Sequence, residues 1–244
     1  MSPSLKGAGT PEEAWSDAVD EVPARDPAAV RPPGRVVVVA PHPDDEVLGV
    51  GGTLAVWAAE GTEVAVVAVT DGEGSHPDSP TLTPAALADR RAEERRVALA
   101  ALGVEAAVDR LRLPDGAVAA DDVADGVVAI LRPGDTVIAP VTGDGHPDHD
   151  ATAAGAGTAA ARAGVACWRY PVWLWHWARP GDVSFDGARR LRLPGTAVRA
   201  KAAAIDHFTT QVAPLSDDPR DAAVLTEPVL ARFRRDTEIV WGPR

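Results

Sequence analysis

Two short buried-strand patterns, the valine run Val36 to Val39 and the segment 135–140, each end in Ala-Pro, and each leads into a loop crowded with histidine and aspartate. A run that is apolar at every position reads as a strand buried on both faces. That confines it to the interior of a parallel sheet with helices above and below. Proline stops each strand because it has no N–H for the sheet ladder. The polar groups therefore fall at the carboxyl ends of strands, where open α/β sheets place their ligand sites. The first loop carries His42, Asp44, Asp45 and Glu46, and the second carries His146, Asp148, His149 and Asp150.

Imidazole and carboxylate are both ligands for a borderline metal such as zinc. His42 and Asp45 are three apart, so a helical turn puts them on one face. Asp44 then points elsewhere and is free to act as a base. If the two strands are neighbours, His42, Asp45 and one downstream histidine make a three-ligand site with an open position, the layout of a catalytic zinc. Spacing does not choose between His146 and His149. The competing reading is that Asp44, Asp45 and Glu46 only cap the next helix and complement its dipole.

The rest of the chain alternates strand and helix patterns, which predicts an α/β fold: a Rossmann-like, doubly wound, mostly parallel sheet with helices on both faces in a single domain. Residues 1–34 read as an irregular start, a short helix and a connector, and 35–244 as the main domain. Thr10-Pro-Glu-Glu13 resembles a capping box, and Trp15 would pin the helix it opens. Helices are predicted over 47–60, 84–102, 121–131, 151–163 (capped by Asp150), 196–208 and near 228–235, and further strands over 63–70, 107–113, 189–193 and 238–241. Trp173, Trp175 and Trp177 alternate with Leu174 and His176, the strand period, and would share one packing face. The segment 71–83 is rich in turn formers and reads as a loop with His76 in solvent. Gly49, Gly51 and Gly52 read as close helix–sheet packing. A phosphate loop, and with it a nucleotide-binding module, is the alternative, but the acidic cluster stands where a dinucleotide fingerprint would begin.

On the helix over 84–102, Leu87, Arg91, Glu94, Ala98, Ala101 and Leu102 form one stripe. Its two central charges need partners. Either Arg91 pairs with Glu94, or Arg91 reaches a pocket and binds substrate. Asp115 follows a predicted strand end and is either a further substrate ligand or a turn aspartate.

A formal charge of −12 argues against nucleic acid as the main partner. The single cysteine, Cys167, excludes an intrachain disulfide and cysteine-rich zinc sites. No apolar run approaches membrane-spanning length, and no signal-peptide pattern opens the chain. A cytoplasmic location is the default expectation.

Pro41-His-Pro-Asp-Asp-Glu46 together with His146-Pro-Asp-His149 resembles the PIG-L/LmbE family of metal-dependent N-acetylglucosaminyl deacetylases. Thr70-Asp-Gly-Glu73, the spacing of Arg91, Glu94, Ala98 and Leu102-Gly103, and the set Lys201, Ala204, Phe208 and Gln211 extend the resemblance over roughly 35–211. Pro41 stands where the family pattern usually has alanine. The resemblance implies Zn²⁺ (or Fe²⁺ or Co²⁺) held by His42, Asp45 and His149, with Asp44 as general base. It implies a small N-acetylated aminosugar as substrate and favours the pocket-facing reading of Arg91. His146, if protonated, would stabilise the oxyanion, with Asp148 orienting it. A non-catalytic protein that keeps the metal is the remaining alternative.

Overall fold

The structure, a computed structural model, describes residues 7–242, so the predicted irregular start lies outside the described residues up to residue 6. In chain order it contains α1 (Glu12–Glu21), β1 (Ala24–Arg25), β2 (Val36–Ala40), α2 (Asp45–Ala59), β3 (Val64–Ala68), α3 (Pro84–Ala101), β4 (Ala106–Arg110), α4 (Ala120–Val128) and β5 (Thr136–Pro140). Then follow α5 (Pro147–Ala163), β6 (Ala166–Tyr170), α6 (Leu174–Trp177), β7 (Ala188–Arg192), α7 (Gly195–Asp206), α8 (Thr209–Val212), α9 (Glu227–Leu230) and β8 (Thr237–Trp241). The strands form one sheet in the order β1-β7-β8-β6-β5-β2-β3-β4. Among the described strands, only β8 runs against its neighbours, β6 and β7. The chain winds outward from β2 to β3 and β4, then returns to the other side of β2 for β5 and β6. The gap between the ends of β2 and β5 is thus a topological switch point.

Every residue of β2, β3 and β5 is buried. Val37, Val39, Val67 and Val137 pack with Val123, Val127, Ala156 and Ala160 of α4 and α5. Val36, Val38, Val66 and Ile138 face the other way, in the cluster that holds Leu54 and Trp57 of α2 and Leu99 of α3. Each fully buried valine contributes roughly 1.5–3 kcal/mol, so the strands that carry the site's loops lie in the most protected part of the core.

The glycines of α2 are used for packing, as their pattern predicts. A Cβ on Gly49 would lie 2.2 Å from the Tyr170 ring, and one on Gly52 would lie 2.4 Å from Leu193. Their backbone is covered by side chains, which removes the basis for a phosphate loop. Trp15 is fully buried and donates from Nε1 to the Trp175 carbonyl at 3.0 Å, pinning α1 as predicted.

Several local predictions fail for identifiable reasons. The capping box does not form: Pro11 occupies the N-cap position of α1, and the Thr10 hydroxyl donates to Ala178 O at 2.7 Å. The connector over 22–34 contributes β1, which pairs with β7. Helix α5 begins four residues earlier than predicted, because Pro147 takes the first turn and His146 caps it, its Nδ1 accepting from Asp148 N–H. Asp150 instead accepts from the N–H groups of Gly143 and Asp144. The aromatic run is not a strand: β6 stops at Tyr170 and residues 174–177 make one helical turn. Its indoles diverge, Trp175 packing edge-on against Trp15 while Trp173 lines a cavity. His76 is buried rather than solvated, its ring bonded to Ser75 Oγ at 3.0 Å and Ala222 O at 3.1 Å. The segment 71–83 has no helix or strand, but it is tied down because Ser79 and Thr81 donate to Asp221, a carboxylate shared with Ser216.

Candidate metal centre

The loops after β2 and β5 meet at the switch point. His42 leaves β2 through Pro41, and Asp45 opens α2 one turn later. Its Oδ2 accepts from the His42 backbone N–H at 2.9 Å, which fixes the turn. His149 lies in the first turn of α5. Three atoms of these residues form a triangle with equal sides: His42 Nδ1 to Asp45 Oδ2, His149 Nε2 to Asp45 Oδ2, and His149 Nε2 to His42 Nδ1 are each 3.3 Å. Tetrahedral zinc with nitrogen and oxygen ligands at about 2.0–2.2 Å requires ligand atoms about 3.3–3.6 Å apart. The donor set therefore fits such an ion in both chemistry and spacing.

The remaining ring nitrogens strengthen the fit. His149 Nδ1 meets Asp144 Oδ2 at 2.7 Å, and His42 Nε2 lies 3.2 Å from both Asp115 Oδ1 and Asp148 Oδ2. A carboxylate behind each imidazole is the usual support of a metal-binding histidine. His42, His146 and Asp148 also come close enough to share an ion.

Protonation follows the same field. Burial opposes ionisation of Asp45, but the His149 and His42 imidazoles outweigh it and hold its carboxyl well below the usual range. Against burial, Asp45 and Asp144 push His149 up to about 9. The charge that retains a proton there would equally favour a cation, which must displace that proton to bind.

Asp44 is different. Its backbone sits at φ 143°, ψ −30°, a conformation rarely open to a side-chain-bearing residue and typical of functional sites. Burial pushes its carboxyl up to about 7, against the pull of the Arg91 guanidinium. Arg91 Nη2 donates to Asp44 Oδ2 at 3.1 Å and to Pro43 O at 3.0 Å, while Nη1 donates to Gly72 O at 2.9 Å. Arg91 is thus not the partner of Glu94. Glu94 accepts from the Thr209 hydroxyl and from the Thr210 hydroxyl and N–H, at 2.7–2.9 Å, and so holds α8.

His42, Asp44, Asp45, Arg91, Asp115 and His146 face a cavity of about 310 Å³, whose other walls include Leu48, Ser75, Val172, Trp173, Gln211 and Leu225. His149 and Asp148 lie behind that surface, both buried. Two expectations about His146 change. Asp148 does not orient its ring from the side: the Asp148 carboxylate accepts from Gly116 and Val118 N–H and lies on His42, and only its backbone N–H reaches His146. Burial and the neighbouring imidazoles also push His146 down to about 4, so it is neutral at pH 7. With Nδ1 accepting, the ring proton is on Nε2. Asp144 carries no functional signal in the sequence, because its place before Gly145 is that of a turn aspartate. The downstream loop's wealth of acids gave no signal of which one would sit behind a histidine.

Residues 37–160 match the model of the PIG-L family, described as GlcNAc-PI de-N-acetylase. A 1D-myo-inositol 2-acetamido-2-deoxy-alpha-D-glucopyranoside deacetylase of Kineococcus radiotolerans is 38% identical over 104 residues, which span 38% of this chain but only 29% of that protein. One of the same description from Mycolicibacterium gilvum is 34% identical over 223 residues, 78% of this chain and 74% of the relative. The N,N'-diacetylchitobiose deacetylase structure from Pyrococcus horikoshii shares the fold, with a TM-score of 0.61 at 23% identity over 81% of this chain and 78% of that one. No helix among the described residues is long and apolar enough to cross a membrane. With the family model matching residues 37–160 and the Mycolicibacterium gilvum relative 34% identical over 78% of its length, the chain belongs to the PIG-L family.

Proposed function

We propose that this protein is a metal-dependent hydrolase that removes an acetyl or short acyl group from the nitrogen of an N-acetylglucosamine-like sugar or its conjugate. The observation that carries the reading is the 3.3 Å triangle of His42, Asp45 and His149 at the floor of a cavity, with Asp44 beside it. The names of the relatives, which act on an inositol-linked acetamido sugar, support the substrate class.

Zn²⁺ is the favoured ion, and Fe²⁺ or Co²⁺ suits the same His₂–carboxylate set. When bound, it polarises the amide carbonyl and acidifies water. Asp44 takes a proton from the attacking water and delivers it to the amine nitrogen as the C–N bond breaks, leaving a free amine and a carboxylic acid. A carboxyl near 7 is suited to both steps. Arg91 holds Asp44 in place. His146, neutral, donates from Nε2 to the carbonyl oxygen as it gains charge. Asp115, ionised and held by Gly74 N–H at 2.8 Å, accepts from a sugar hydroxyl, and Arg91 borders the same part of the cavity.

The test is metal analysis of the purified protein alongside amine release from free N-acetylglucosamine, its inositol glycoside and diacetylchitobiose. Metal near one equivalent with amine released from at least one of them supports the proposal. Metal without turnover of any N-acetylated sugar would make the chain a binding protein.

A further inference from the structure

Asp144 is fully buried and touches neither the cavity nor the proposed reacting atoms. Its Oδ2 accepts from His149 Nδ1 at 2.7 Å and from Trp173 N–H at 2.9 Å. Its Oδ1 accepts from Val172 N–H at 2.9 Å and Leu174 N–H at 3.0 Å. Its own carbonyl accepts from the Trp177 indole at 2.7 Å. One carboxylate thus joins the back of a proposed metal ligand to the turn that carries Val172 and Trp173, both in the cavity wall.

We infer that Asp144 is a positioning residue that fixes the tautomer of His149 and the shape of the Val172–Trp173 wall together, so that metal affinity and sugar binding depend on one side chain. The inference rests on the metal site proposed above. A neutral imidazole has one N–H and one lone pair. With its proton on Nδ1 facing Asp144, the lone pair of His149 is on Nε2, the atom in the ligand triangle. All the partners of the carboxylate are donors, and a carboxylate only accepts, so the match is complete.

Asparagine is nearly the same size but replaces one oxygen with an NH₂. If the NH₂ takes the Oδ2 position, it confronts two donors. His149 relieves the clash by moving its proton to Nε2, which removes the lone pair a metal needs. If the NH₂ takes the Oδ1 position, the N–H groups of Val172 and Leu174 lose their acceptor and the wall loosens. Asp144→Asn therefore damages metal binding, the wall, or both, whichever way the amide turns.

The experiment compares wild type and Asp144→Asn for zinc affinity, by competition with a chromogenic chelator, and for KM on an N-acetylglucosaminide at saturating zinc. Melting of the metal-free proteins is recorded in parallel. Zinc affinity lower by about 10–100-fold, the scale for a partner behind a metal-binding histidine, or a raised KM with kcat largely kept, is the expected result. Unchanged zinc affinity and unchanged KM, with or without a lower melting temperature, would overturn the inference. If the variant does not fold, ¹⁵N-histidine NMR of zinc-loaded wild type decides. A His149 Nδ1 proton shifted strongly downfield, as a charge-assisted bond to the Asp144 carboxylate makes it, upholds the inference, and an absent or unshifted one overturns it. Failure of wild type itself to bind zinc would bring down the metal site and this inference with it. A defect confined to the variant comparison touches only the role of Asp144.

Discussion

Helix α2 is gripped at two places by buried charges, and the two grips are built differently. In its middle, Lys201 donates to Leu48 O at 2.8 Å and to Glu238 Oε1 at 2.6 Å. Glu238 in turn accepts from the N–H groups of Gly52 and Thr53, both at 2.8 Å. One cation meets one anion, and the carboxylate's remaining capacity is filled by backbone. Side chains that insert into a helix ladder in this way fix its course. At the N-terminus of α2, the carboxylates of Asp44, Asp45, Asp115, Asp144 and Asp148 gather around imidazoles, with Arg91 as the permanent cation in contact with Asp44. The first network is closed and neutral. The second has excess negative charge, a strained backbone and an open side. Burial alone therefore does not mark function; an unbalanced set of charges facing a cavity does.

The largest effect should come from Asp44→Asn. Loss of a general acid–base group lowers kcat on the order of 10²–10⁴-fold, while metal content stays near wild type and melting temperature falls only modestly, because the asparagine carbonyl still accepts from Arg91, which keeps its bonds to Gly72 O and Pro43 O. If metal disappears instead, Asp44 belongs to the ligand set and is not the base.

Lys201→Met is the complementary break in the closed network. Removing one member of a buried pair costs about 3–5 kcal/mol, enough to lower Tm by roughly 10 °C in a chain of this size. The kcat/KM of the protein that remains folded should be near wild type. A fall in kcat matching the fall in stability would mean that the middle of α2 transmits strain to Asp44, and the two networks would not be separate.

The contrast was only partly readable in the sequence. Apolar runs ended by Ala-Pro mark β2 and β5 and carry His42, Asp45, His146 and His149 to the same end of the sheet, because strand burial and proline act locally; only the family resemblance singles out His149. Periodicity placed Arg91 and Glu94 on an inward stripe but could not say what they would meet. Their partners, Asp44 and the Thr209–Thr210 turn, lie far along the chain. The aromatic stretch misled because alternation in Trp173, Trp175 and Trp177 is also compatible with a turn followed by a short helix. The deciding force was the Asp144 carboxylate, which draws the N–H groups of Val172, Trp173 and Leu174 out of any strand ladder. The burial of His76 is invisible in its local sequence for a similar reason, since its partner, Ala222 O, comes from the far end of the chain.

A chelator gives a smaller and more selective change. An ion present at a hundred times its Kd stabilises the fold by about 2.7 kcal/mol, so its removal should lower Tm by roughly 5–10 °C and its return should restore it. His149→Ala should show no such shift, whereas Lys201→Met should show the full shift from its lower starting point. A Tm unmoved by chelation in wild type would argue that the excess negative charge holds no ion.

The smallest effect expected is that of Arg91→Lys, and it tests where the boundary between the networks lies. Arg91 has its two Nη atoms committed to Gly72 O, Pro43 O and Asp44 Oδ2. A lysine keeps the charge but lacks the planar fork that reaches both the 71–83 segment and Asp44. One charge-assisted hydrogen bond is worth about 1.5–3 kcal/mol, but lysine recovers part of that, so a loss near the lower figure is reasonable. If the bond that survives is the one to backbone, Asp44 is freed, and kcat falls by roughly tenfold with KM little changed. If the surviving bond is to Asp44, the 71–83 segment loosens around Gly74 and Ser75, both in the cavity wall, and KM rises while kcat holds. Because Asp44 carries the negative charge and lies within reach of a single ammonium, the second pattern is the expected one. A drop in Tm with both constants unchanged would move Arg91 out of the open network and place it beside Lys201, among the residues that only hold the fold.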